Sequence, residues 1–107
     1  MFVLDHYILL DNRAYQATWN NLTPGFQNKI DNFSGYKKWW TTVKKIDIER
    51  AETIEQSLGK AIVEAQTSWV NGNGKVSYDS NSWVHLVWNN SANKWQINKK
   101  NKPGNYH

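Results

Sequence analysis

The side chains able to do acid–base or metal chemistry are few and scattered. Histidines stand only at positions 6, 85 and 107, and cysteine is absent. Without thiols there is no disulfide, no thiolate metal site and no cysteine nucleophile. His6 directly follows Asp5, and neighbours at i, i+1 on a helix point apart, so they form no dyad. The plain reading of His6 is a surface or boundary residue. His85 sits between Trp83 and Val87 at strand spacing, and His107 is terminal. Histidines so far apart lack metal-ligand spacing. Asp47, Glu49 and Glu52 lie close together, but paired carboxylates cleave glycosides only at a fixed separation across a cleft. Asp47 and Glu49, on one face of one strand, read as a solvated face. No catalytic residue, metal or cofactor is expected.

The aromatic residues are the stronger feature. Trp19, Trp39, Trp40, Trp69, Trp88 and Trp95 have helical or strand spacing toward one core, and packing accounts for that. Each indole N–H also wants a partner, and a core so rich in tryptophan can leave gaps. A pocket walled by Tyr36, Trp40, Tyr78 and Trp88 would take a small apolar or sugar-like ligand. Trp83 departs from the pattern. With Ile62, His85 and Val87 it makes an apolar patch on the polar side of the sheet, the kind of patch that marks a contact site.

These residues need elements to hold them. Val3, Tyr7 and Leu10 share one face of a helix over 2–10, and Tyr15, Trp19 and Leu22 do so over 12–22. Asp11 is placed to cap the second helix, and Ser34 a later one carrying Tyr36, Trp39 and Trp40. Thr23-Pro24 closes the second helix and opens a short turn through Phe26 to Ile30. From Val43 the period changes to two. Turns at Leu58-Gly59, at Gly72-Asn73 and after Asn89 separate four strands. Pairing across them matches Ile54 with Val63, Thr67 with Tyr78, Leu86 with Ile97 and Trp88 with Trp95. One face then collects the apolar residues, Tyr78 among them, while the other carries Trp83, His85 and Val87. Arg50 and Glu52 fall on the apolar face, either beyond the helices in water or in a polar pocket. The expectation is α+β: N-terminal helices packed on a bent four-stranded antiparallel sheet.

Length and composition agree. The chain has 107 residues, enough for a single domain, with 39% apolar and 14% aromatic residues, a mix that can build a core. The domain is placed at 2–100 and a flexible tail at 101–107. The net charge is +4, but the basic residues are dispersed. Their densest group, Lys94, Lys99, Lys100 and Lys102, reads as a solvated end, which argues against nucleic-acid binding. No run approaches the about 18 apolar residues that a membrane-spanning helix needs. The first residues lack the basic start of a signal peptide.

The segments Tyr15–Gln27, Tyr36-Lys37-Lys38-Trp39-Trp40, Val84–Asn89 and Lys94-Trp95-Gln96-Ile97 together resemble the nuclear transport factor 2-like superfamily. The nearest branch comprises the C-terminal accessory modules of bacterial, especially cyanobacterial, serine/threonine protein kinases. The resemblance covers about residues 3–98. It implies a cone-like fold with an internal cavity and an outer sheet face that forms homodimers. Members include isomerases, dehydratases and polyketide cyclases as well as non-catalytic binding modules. Kinase-linked relatives imply an accessory or sensory role, with an extracytoplasmic position where they are membrane-anchored. No kinase motif is present in this chain. The expected function is a non-catalytic module that binds a partner, itself or a small ligand. The alternative is a small cone-fold enzyme acting on an apolar substrate.

Overall fold

The computed structural model describes residues 1–30 and 32–101. Four helices come first: α1 (Phe2–Asp11), α2 (Tyr15–Asn20), α3 (Pro24–Ile30) and α4 (Phe33–Thr41). Four antiparallel strands follow, paired in chain order: β1 (Val43–Ser57), β2 (Lys60–Asn71), β3 (Val76–Asn89) and β4 (Lys94–Asn101). The sheet gains a fifth, single-residue strand that the turns do not announce. Leu22 bridges in parallel to Ile97. The Ile97 N–H donates to the Asn21 carbonyl at 2.7 Å, and the Thr23 N–H to the Ile97 carbonyl at 2.9 Å. The link between α2 and α3 thus satisfies the open edge of β4. Strand β4 also runs on to Asn101, which pairs with Trp83, so order passes the boundary expected at residue 100. The remainder of the expected tail, with Lys102 and His107, lies outside the described residues.

The helix starts follow local chemistry. Asn32 caps α4, its side chain accepting from the Gly35 N–H at 2.8 Å; the expected cap, Ser34, is already inside the helix. Thr23 caps α3 by accepting from the Phe26 N–H, with Pro24 in the first helical position, where its missing N–H costs nothing. Asp11 does not cap α2. Its carboxylate accepts from the Ile46 N–H at 2.9 Å, tying the end of α1 to β1.

Register is where sequence and structure part. The Leu58-Gly59 turn holds, with Ser57 opposite Lys60. The pairs Leu86–Ile97 and Trp88–Trp95 hold as well. The second hairpin has a three-residue loop, Gly72 to Gly74, closed by the Gly74 N–H on the Asn71 carbonyl, with Gly74 at φ +84°. That is a turn followed by a left-handed glycine, the common three-residue hairpin. The extra residue shifts pairing by one, so Tyr78 lies opposite Ser68 instead of Thr67. A one-residue slip inverts the face, and Tyr78 is 73% exposed. A bulge then sets the single residue Gln66 against two of β3 and restores the phase, with Val63 opposite Val84. Three more irregularities interrupt β1. One turns Arg50 and Glu52 opposite Gln66 and Glu64, on the outer face, where they are exposed and pair with each other. That removes them from any pocket.

The core is built from medium-sized residues. Val3, Leu10, Leu22, Val63, Ala65, Val84 and Ile97 are almost wholly buried. Trp19, Trp40, Trp69 and Trp95 pack against this centre only partly buried, and Trp39 and Trp88 are exposed. The tryptophans therefore rim the core instead of filling it, as their size favours. Among the described residues no helix is long and apolar enough to cross a membrane.

Candidate functional site

The helices and the inner sheet face do not close completely. A cavity of about 450 Å³ remains between α1, α3, α4 and the end of β4, within the range that holds small-molecule ligands. Leu22, Phe26, Ile30, Trp39 and Trp40 give it apolar walls. The Trp39 and Trp40 rings meet edge to face at 4.7 Å, and Trp40 is followed by Tyr36 at 6.4 Å. Besides the two indoles, the polar side chains on the described lining are those of His6, Tyr36 and Lys100.

His6 is 1% exposed, which overturns its reading as a surface residue. It belongs to the buried stripe Val3, His6, Tyr7 and Leu10 of α1. Its Nδ1 lies 3.2 Å from the Asn21 side-chain nitrogen. Lys94 Nζ donates to the Asn21 Oδ1 at 3.0 Å. An ammonium only donates, so Asn21 must turn its oxygen to Lys94 and its NH₂ to His6. The imidazole therefore accepts at Nδ1 and carries its proton on Nε2. Burial, and then the charges of Lys100 and Lys94, hold its pKa well below the usual 6.5, so the ring is neutral at physiological pH.

Tyr36 is buried and its hydroxyl donates to Thr18 Oγ1 at 2.7 Å. Thr18 in turn donates to the Tyr15 carbonyl. Burial, partly offset by the bond to Thr18, pushes the Tyr36 hydroxyl up to about 12. It is a fixed wall with its proton committed, unsuited to acid catalysis.

Lys100 reaches the cavity because of a bulge. Along β4, Ile97 faces the core opposite Leu86, and strict alternation would send Lys99 inward. The register shifts between Leu86–Ile97 and His85–Lys99, so that Lys100 pairs with Val84 and turns to the inner face. Its Nζ sits 5.0 Å from the centre of the buried Tyr7 ring, a favourable cation–π contact. Lys94 and Lys100 are thus half-buried and engaged with inner residues, contrary to the expectation of a solvated basic end, while Lys99 is exposed as expected.

Of the expected pocket residues, Tyr36 and Trp40 line this cavity. Tyr78 does not, because the three-residue loop turns it outward. Trp88 does not either. It stands edge to face on Trp95 at 5.4 Å and borders a separate, more open hollow with Leu58 and Gly59, at the far end of the sheet. Sequence reasoning did not place His6, Leu22, Phe26, Ile30, Trp39 and Lys100 at a pocket. The signal for His6 was present in the helical stripe; for Lys100 there was none, since strand bulges leave no short motif.

The outer-face residues do come together. Ile62 lies opposite His85, Glu64 opposite Trp83 and Lys60 opposite Val87. The Trp83 indole N–H donates to Glu64 Oε2 at 3.0 Å, and its ring stands 6.5 Å from that of His85. The His85 Nε2 pairs with Asn101 Oδ1. Partial burial, opposed by that bond, lowers its pKa. Among the described residues no three histidine, aspartate or glutamate side chains gather as a metal would require. No protein-family model matches the chain, and no curated protein matches it.

Proposed function

We propose that this chain is a non-catalytic, small-molecule-binding accessory module of nuclear transport factor 2-like type, acting as a sensory part of a bacterial signalling protein. The order of elements supports the reading: helices first, then a bulged antiparallel sheet whose inner face they cover. The observation that carries it is the aromatic-walled cavity of about 450 Å³ between the helices and β4. Trp39 is 55% exposed yet forms one of its walls. An exposed apolar ring beside a hollow is costly to keep in water, and a ligand covering it would recover that cost.

Native mass spectrometry of the purified protein tests this reading. A stoichiometric extra mass on the folded protomer is expected. Trp39→Ala should leave the fold intact, because the ring is mostly exposed, and should weaken binding by about tenfold or more through lost apolar contact. A bare protomer that no small molecule stabilises would refute the proposal.

His6 favours a second reading, an isomerase- or cyclase-type enzyme, because it puts a neutral imidazole at the cavity. Its depressed basicity counts against this, since an effective general base titrates near the working pH. Tyr36, with its proton held by Thr18, supplies no complementary acid.

A further inference from the structure

We infer, given that the cavity is a ligand site, that its ligand is an apolar monocarboxylic acid, with its hydrocarbon or aromatic body against Trp39, Trp40, Phe26 and Ile30 and its carboxylate on Lys100 and the His6 Nε2–H. Among the described side chains the lining is richer in donors than in acceptors. Lys100 offers only donors, and His6, with Nδ1 occupied by Asn21, offers a donor at Nε2. Tyr36 has given its proton to Thr18, so its oxygen is the side-chain acceptor on the described lining. Among the described residues no carboxylate side chain lines the cavity, and none forms an ion pair with Lys100.

The donors select the ligand. An amine would meet Lys100 as a like charge. A sugar needs acceptors as well as donors, and the lining is poor in acceptors. A wholly apolar molecule would seal an ammonium group against hydrocarbon without an anion, which is expensive. A carboxylate provides two acceptor oxygens for two donors, and its bonds are charge-assisted. Only one formal charge faces it, so one negative charge is matched. The β4 bulge is the structural feature that makes this possible, since it places Lys100 rather than Lys99 on the inner face.

The test compares three probes of one shape, 4-phenylbutyrate, 4-phenylbutanol and 4-phenylbutylamine, by calorimetric titration of the whole protein at neutral pH. The acid should bind about tenfold or more tighter than the alcohol, as a charge-assisted bond would give, and the amine weakest. Lys100→Met keeps the aliphatic stem and should bring the acid down to the affinity of the alcohol, leaving the alcohol unchanged. Lys99→Met, one residue away on the other face, should preserve the preference. Equal binding of acid and alcohol to the unaltered protein, or preference for the amine, overturns the carboxylate inference while the pocket stands. Failure of all three probes to bind refutes the pocket itself, and the carboxylate inference with it.

Discussion

His6 is buried in the interior with its hydrogen bonding fixed. Its neutral ring is held in one tautomer by Asn21, and Asn21 is oriented by Lys94. A protonated His6 would turn an Nδ1–H against the Asn21 amide hydrogens and place a third positive charge near Lys94 and Lys100. The consequence for stability has a definite sign. The unfolded chain takes up a proton near pH 6.5, while the folded chain resists it to a lower pH. Stability from this site is therefore present above 6.5 and lost as pH falls toward the folded value. Unfolding free energies from denaturant titrations between about pH 8 and about pH 5 should be level at first, then fall with a slope approaching ~1.4 kcal/mol per pH unit. His6→Met, similar in volume and without a titrating group, should remove most of that slope. His85 adds a shift of the same sign, but its ring is only half-buried and the effect is small. A profile for the unaltered protein that stays flat below pH 6.5 would show that His6 charges freely in the fold.

At the scale of elements, turns and bulges divide the work of register. Turns are local and their residues can be read. Gly59 has φ +76° and Gly74 φ +84°, a region where a Cβ is disfavoured. Neither glycine has anything within 4 Å of where a Cβ would stand, so the penalty of substitution is conformational rather than steric. Gly74→Ala should cost about 1 kcal/mol, seen as a lower denaturant midpoint at constant m-value. No measurable loss there would mean that the loop readily takes another form. The first and last helices, the four long strands and the pairs Leu86–Ile97 and Trp88–Trp95 were legible because periodicity and turn residues are local signals. The caps expected at Asp11 and Ser34, the helix at Pro24–Ile30 and the bridging strand at Leu22 were not. The face of Tyr78 was not, because Asn71-Gly72-Asn73-Gly74 suits a two-residue and a three-residue loop equally well. Nor were the bulges opposite Gln66 and beside Ile97. They answer to sheet curvature and helix packing, which no short stretch encodes. Since one of them delivers Lys100 to the cavity, the half of the site built on helices could be approached from sequence, while the half built on β4 could not.

At the scale of the whole molecule, the sheet separates two surfaces of different character. The inner face meets the helices and holds the cavity. The outer face gathers Ile62, Trp83, His85 and Val87 around β2 and β3, all half-buried in the isolated chain. The shape is elongated, 42 × 28 × 27 Å, so this outer face offers a broad surface that the helices leave uncovered. The homodimer that the resemblance implies would use it. A two-fold pairing sets one patch against its own copy, and the Trp83 ring, steadied by Glu64, is the kind of aromatic anchor that carries such contacts. Sedimentation velocity should then show a concentration-dependent dimer, and Trp83→Ala should shift it to monomer. Because Trp83 and the cavity lie on opposite sides of the sheet, the same substitution should leave carboxylate binding unchanged within about twofold, as additivity of distant sites requires. An unchanged sedimentation profile would dismiss the outer-face dimer. Coupled loss of both dimer and ligand would show instead that the two faces communicate through the bulged strands, whose curvature both surfaces share.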